Sequence, residues 1–167
     1  TPLKIGNRLF IITALNQVAA LNPITGETLW SFNPEVYLSG SPINYIGYHN
    51  RGLAYWTDGE NERILAGLND GYLLSLDATT GQPDPSFAGG KIDLAEGLPR
   101  AVRDELDWTG AQPVAVVSPP IVVGDIVVTS SITQARPLSR ERPPMWVRGY
   151  NITNGEHVWD FHTIPVA

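Results

Sequence analysis

One short phrase occurs three times in this chain, and it constrains the fold more than any other feature. It reads NPITGETLWSFNP at Asn22–Pro34, DATTGQPDPSF at Asp77–Phe87 and NITNGEHVWDFH at Asn151–His162. Each copy opens on Asn22, Asp77 or Asn151, whose side-chain oxygen can accept from backbone N–H groups of the turn that follows. Each then places a glycine, Gly26, Gly81 or Gly155, which can take a positive φ without a Cβ clash. Trp30 and Trp159 follow their glycines by four residues, early in the next strand. A large flat ring at that place can pack on a neighbouring sheet and stabilise by burial and ring contacts. The phrase is therefore read as a hairpin closure joined to a docking device. The second copy departs from it: Pro83 and Pro85 stand where the next strand should run, and neither can donate to a ladder.

Short runs with strand character flank every copy. The expected strands are Leu3–Ile5, Arg8–Thr13, Gln17–Asn22 and Thr28–Phe32 around the first. Around the second they are Gly52–Trp56, Arg63–Leu68 and Tyr72–Asp77, with a poor fourth strand after Gly81. Around the third they are Pro120–Val123, Ile126–Ser131, Trp146–Asn151 and His157–Phe161. The fold class that follows is all-β: three four-stranded antiparallel blades, stacked face to face, at about 1–34, 50–90 and 117–163. A closed propeller typically has about four to eight blades, so the chain reads as an arc, 1–167, of a larger ring. Its terminal sheets would leave apolar faces for the remaining blades of a parent protein to cover. Two inserts interrupt the pattern, Asn33–His49 and Phe87–Val117, the second with a short helix expected near Ala101–Leu106. Pro137–Pro144 reads as a polar loop.

Composition narrows the function classes. With 17 acidic and 11 basic residues the net charge is -6, which argues against nucleic acid or an anionic membrane as a partner. Cysteine is absent, which removes disulfides and thiolate metal sites. No apolar run approaches the roughly 18 residues of a membrane span. The three histidines show no H-E-x-x-H spacing, and neither a phosphate loop nor a G-x-S-x-G elbow is present. The chain has no starting Met and no basic-then-apolar leader, and is expected to be a processed or cut piece.

The phrase resembles the tryptophan-docking repeat of quinoprotein dehydrogenases, which use pyrroloquinoline quinone (PQQ). That repeat runs roughly Ala-x-Asp-x-x-Thr-Gly-x-x-x-Trp, and Ala20, Asn22, Thr25, Gly26 and Trp30 match it. Two further stretches are similar to these enzymes: HNRGLAYW at His49–Trp56, and SPPIVVGDIVVTSSITQ at Ser118–Gln134 followed by VRGYNITNGEHVW. Their order is most similar to the glucose dehydrogenase branch. The resemblance implies a fragment of an eight-bladed ring in a parent enzyme that oxidises a sugar (a glucose-type aldose) or alcohol by hydride transfer to the quinone. It implies PQQ with Ca2+ or Mg2+, ubiquinone or a cytochrome as electron acceptor, and a periplasmic or periplasm-facing location.

Residue roles follow from the same resemblance. Arg51 is expected to pair with a PQQ carboxylate, a task suited to a fixed guanidinium fork. Ser131 and Thr133 are expected to contact the quinone. Gln134 stands where relatives carry a metal-binding carboxylate, and its amide oxygen brings no negative charge. Val117 stands where many relatives carry a cofactor-contacting Thr. Trp30, Trp159, Gly26, Gly81 and Gly155 are docking residues. No catalytic residue is expected within this chain, because the ring-stacking Trp and the catalytic Asp belong to other blades. Read without the resemblance, Arg51 is a surface arginine and Ser131–Gln134 a strand end making turn bonds. The rival reading is a non-catalytic propeller of PQQ-like repeats serving as a scaffold or assembly protein. NRGLAYW and SSITQ favour the enzyme, since a scaffold has no reason to keep them. The isolated chain is expected to be inactive.

Overall fold

Twelve strands form among residues 1–43, 47–99, 110–133 and 143–163, the parts that the computed structural model describes. They are β1 (Leu3–Ile5), β2 (Arg8–Ile12), β3 (Val18–Leu21), β4 (Thr28–Phe32), β5 (Ala54–Thr57), β6 (Glu62–Gly67), β7 (Tyr72–Asp77), β8 (Lys91–Asp93), β9 (Ile121–Val123), β10 (Ile126–Ser130), β11 (Val147–Asn151) and β12 (His157–Phe161). They make three four-stranded antiparallel sheets, each in sequence order. The expected all-β partial propeller is the fold. The helix expected near Ala101–Leu106, and most of the Pro137–Pro144 loop, lie outside the described residues.

The repeated phrase builds the same turn each time. Asn22 Oδ1 accepts from the N–H groups of Ile24 and Thr25 (2.9 and 3.3 Å), and Asp77 Oδ1 from Thr79 and Thr80 (3.0 and 2.7 Å). Asn151 Oδ1 accepts from Thr153 at 2.8 Å. Gly26, Gly81 and Gly155 each donate back to the opening residue's carbonyl at 2.8–2.9 Å, with φ of 75°, 73° and 79°.

The middle sheet carries apolar side chains on both faces, as the two-residue period of a strand requires when both faces are covered. Ile64, Ala66, Leu74 and Leu76 point toward the first sheet and pack with Phe10, Val18 and Ala20. Leu65 and Leu73 point the other way and pack with Val127, Tyr150 and Ile152 of the third sheet. Among the described residues the outer sheets are covered on one face only, and Leu29 of the first and Ile121, Val123, Val158 and Phe161 of the third stay exposed.

Between the first two sheets, the Trp30 ring lies directly on Gly81, where an added Cβ would sit 2.5 Å from ring carbons. Its Nε1–H donates to the Ala78 carbonyl at 3.1 Å. The next junction reaches the same end by another route. The fourth strand of the middle sheet is interrupted by a loop that holds the short 3-10 turn Ala88–Gly90. Pro83 bridges Leu76 and Asp84 N–H donates to the Ser75 carbonyl (3.0 Å); pairing with β7 then resumes at Lys91. The blade expected to end at residue 90 therefore extends through β8, because the prolines displace only the residues between. The displaced loop carries Phe87, fully buried between the middle and third sheets, and Phe87 and Ala88 lie against Gly155. The Phe87 ring fills this junction by burial in its core cluster, while Ala88 and the Phe87 backbone, and no aromatic ring, meet the turn glycine. Among the described residues no further sheet lies beside Trp159; it lies against Gly149 of β11 and is 38% exposed.

Two arginines tie the sheets at these turns. Arg8 opens β2, donates to the Ala78 carbonyl (2.8 Å) and pairs with Glu62. Arg63 holds the matching place in β6, opposite Asp77. It donates to the Ile152 carbonyl and to Ser86 Oγ, pairs with Asp84 at 2.5 Å, and stacks over Trp56. The third sheet has Ile126 at that place, opposite Asn151.

Candidate functional site

Antiparallel alternation sorts the connections to two ends of the stack. The phrase turns occupy one end. The other gathers the segments before each first strand and the turns between second and third strands. Arg51, Ser131 and Thr133 all fall at this second end. Gln134 lies outside the described residues.

Arg51 has a fixed backbone and an exposed side chain. Its N–H donates to the Val117 carbonyl (3.0 Å), and its own carbonyl accepts from the Thr1 nitrogen (2.7 Å). Asn50 brackets it, donating through Nδ2 to the Gly67 carbonyl (2.7 Å) and accepting from Gly52 N–H (3.0 Å). Among the described residues no hydrogen bond or ion pair engages the Arg51 guanidinium.

A buried segment, Val114–Val117, connects Arg51 to the other candidates. Val117 receives the Arg51 N–H, Val116 N–H donates to the Leu68 carbonyl (2.8 Å), and Ala115 exchanges two backbone bonds with Ile132 (2.7 and 2.9 Å). Ile132 sits between Ser131, which is 6% exposed, and the half-buried Thr133. The segment can run this close because Gly67 and Gly71 lack side chains: a Cβ on Gly71 would meet the Val114 carbonyl oxygen at 2.7 Å. Thus the structure joins Arg51 and Ser131–Thr133 through one strand-like connector, although 80 residues of sequence separate Arg51 from Ser131. The connector falls inside the stretch expected to be an irregular insert. Its apolar run Val114–Val117 was the available signal, but its partners are non-local.

Two asparagines lie beneath this end and carry no role in the sequence reading. Asn16 and Asn69 occupy the turns after β2 and β6, and both are buried. In the sequence each is an ordinary turn residue, within Leu15-Asn16 and Asn69-Asp70-Gly71. The signal was an Asn at the same turn in two successive repeats.

A separate cavity of about 700 Å3 lies between the outer strands β8 and β12, lined by Lys91, Glu96, Arg148, Tyr150, His157 and Asp160. Arg148 there donates to the Glu96 carbonyl (2.8 Å) and pairs with Asp160 (3.1 Å), which also meets His157 (2.8 Å). Burial raises the Tyr150 pKa. Arg148, Asp160 and His157 hold one another across the sheet junction, and Tyr150 shares a core cluster with Val116 of the connector.

The family profile described as "PQQ: Glucose/ethanol/alcohol dehydrogenase, beta-propeller domain" matches residues 1–167. This chain belongs to that family. Among its relatives, the quinoprotein glucose dehydrogenase A of Acinetobacter calcoaceticus is 30% identical over 98% of this chain and 21% of its own length. The glycerol dehydrogenase large subunit of Gluconobacter thailandicus is 29% identical over 95% of the chain and 21% of its own length. The quinohemoprotein alcohol dehydrogenase of Comamonas testosteroni superposes with a TM-score of 0.73 at 20% identity, over 99% of this chain and 21% of its own. At that identity the superposition speaks for the fold. The chain spans about a fifth of the length of the curated relatives it matches.

The donor set can be tested against the quinone of this family. PQQ is a planar tricarboxylate; an exposed guanidinium on a pinned backbone, with no protein anion engaging it among the described residues, fits one of its carboxylates. The metal is a different matter. Among the described residues no group of three or more His, Asp or Glu side chains could hold one.

Proposed function

We propose that this chain is part of the cofactor wall of a PQQ-dependent dehydrogenase that oxidises a sugar or an alcohol. The observation that carries the proposal is Arg51: its backbone is fixed on both sides while its charged end is left open, next to a connector that also holds Ser131–Thr133. A group built this way loses little backbone freedom when it binds an anion, and preorganisation of that kind raises affinity. Arg51 would orient one carboxylate of the quinone; the hydroxyls of Ser131 and Thr133 would donate to its polar edge. PQQ, when bound, supplies the two-electron acceptor for hydride from the substrate carbon. The residues here bind and orient; no acid or base for the substrate hydroxyl is assigned to this chain. Support for a sugar or alcohol comes from the family description. The finer reading adds a divalent Ca2+ or Mg2+, ubiquinone or a cytochrome as acceptor, and a periplasm-facing location.

The test uses the full-length protein. PQQ is added with Ca2+ or Mg2+, unbound quinone is removed, and retained PQQ and dye-linked oxidation of glucose and simple alcohols are measured. Retention and turnover are expected, with Arg51→Ala losing at least about tenfold in PQQ affinity, as removal of a charge-assisted contact should. No retained quinone and no turnover would overturn the proposal in favour of a scaffold.

A further inference from the structure

Asn69 and Asn16 form a buried relay beneath the Arg51 segment, and nothing in the family reading assigns them a role. The Asn69 side-chain amide faces the His49 peptide unit as a strand partner would. Its Nδ2 donates to the His49 carbonyl at 2.8 Å and its Oδ1 accepts from the His49 N–H at 3.4 Å. The two bonds hold the peptide groups on either side of the His49 Cα. Asn16 Oδ1, from the turn of the preceding sheet, accepts from both the Asn69 N–H (2.6 Å) and Asn69 Nδ2 (3.1 Å). Asn16 is fully buried and sits at φ 64°, a conformation Asn tolerates better than most residues. Asn is also the side chain of this size that offers an acceptor and two donors together. The relay therefore runs from the first sheet through the middle sheet's turn to His49, two residues before Arg51.

We infer that Asn69, held by Asn16, is a positioning residue that aims the Arg51 guanidinium at the cofactor. The inference rests on the assignment of Arg51 as a PQQ contact. Removing Asn69 leaves the His49 N–H and carbonyl without these partners, so the segment loses its anchor ahead of Asn50 while the bonds of Asn50 and Arg51 remain.

A double-mutant cycle in the full-length apoprotein separates this from a general loss of stability. PQQ affinity is measured by quenching of intrinsic fluorescence for the unaltered protein, Arg51→Ala, Asn69→Ala and the double variant. Asn69→Ala is expected to weaken PQQ about tenfold to a hundredfold, the usual range for a supporting residue. In the Arg51→Ala background it should weaken PQQ less than about twofold, because the group it positions is gone. Asn16→Gly keeps the positive φ but removes the shared acceptor, and should repeat the result if Asn69→Ala does not fold. Full additivity, or no effect of either Asn variant, would overturn the inference while leaving Arg51 as a contact. An unchanged affinity in Arg51→Ala would overturn the underlying assignment, and this inference with it.

Discussion

At the residue scale, two constraints meet at Gly81. Its φ of 73° is a conformation that costs an L-residue about 1 kcal/mol or more, and its missing Cβ is the surface on which the Trp30 ring lies. Gly81→Ala should therefore be far worse than an ordinary turn substitution, lowering the stability of the full-length protein by about 3 kcal/mol. Gly26 has the same φ with nothing within 4 Å of the Cβ position, so Gly26→Ala should cost only the conformational part. Urea unfolding of the two variants side by side checks the difference; equal losses would mean that the indole contact contributes nothing. Trp30→Phe should keep most of the packing and lose the bond to the Ala78 carbonyl, costing about 1–2 kcal/mol against about 3–5 for Trp30→Ala.

At the scale of elements, the interrupted fourth strand of the middle sheet shows how a degenerate repeat still docks. The prolines were expected to spoil that strand. Instead the loop they open hands Phe87 to the next sheet. Phe87→Ala should cost about 3–5 kcal/mol by leaving a cavity between sheets. Arg63 closes the same junction, pairing with the partly buried Asp84, which also accepts from the Ser86 N–H and hydroxyl. Arg63→Ala should cost about 1–3 kcal/mol, because Asp84 loses its ion pair and keeps Ser86, whereas replacing both Arg63 and Asp84 with apolar residues should cost less. A thermodynamic cycle on Arg63 and Asp84 measures this. At the first junction, the Tyr55 hydroxyl, and then Arg8, hold the Glu62 carboxyl below its ordinary pKa of 4.5. A depressed pKa contributes stability that is present above 4.5 and is lost as pH falls through the folded value. Glu62→Gln should flatten the acid limb of a stability–pH profile between about pH 5 and 3. The gain is modest, because the pair is partly exposed.

For the whole molecule, the difference between a middle sheet covered on both faces and outer sheets covered on one should set the pattern of local stability. In the 1–167 chain, amide hydrogens of β6 and β7 should exchange slowest and those of β12 fastest. In the full-length protein β12 should become protected, as its exposed Val158, Trp159 and Phe161 are covered by another sheet; fast exchange there as well would contradict this.

What could be read from the sequence was whatever depends on neighbours in the chain. The turn is built by an Asn or Asp and a glycine four residues apart, so three copies announced three hairpins, and hydrophobic alternation supplied their strands. The family resemblance singled out Arg51 and Ser131–Thr133 by the same local logic. Contacts between distant residues were not legible. Val114–Val117 lies in an insert with no period, and its bonds go to Arg51, Leu68 and Ile132. Asn16 and Asn69 look like ordinary turn residues until the sheets stack and bury both. Phe87 enters the core between the middle and third sheets only because the loop that interrupts the fourth strand carries it there. Strands and turns are fixed by hydrogen bonds and alternation over a few residues, whereas the surface offered to a cofactor is fixed by which buried groups meet once apolar faces have packed, and only the tertiary structure decides that.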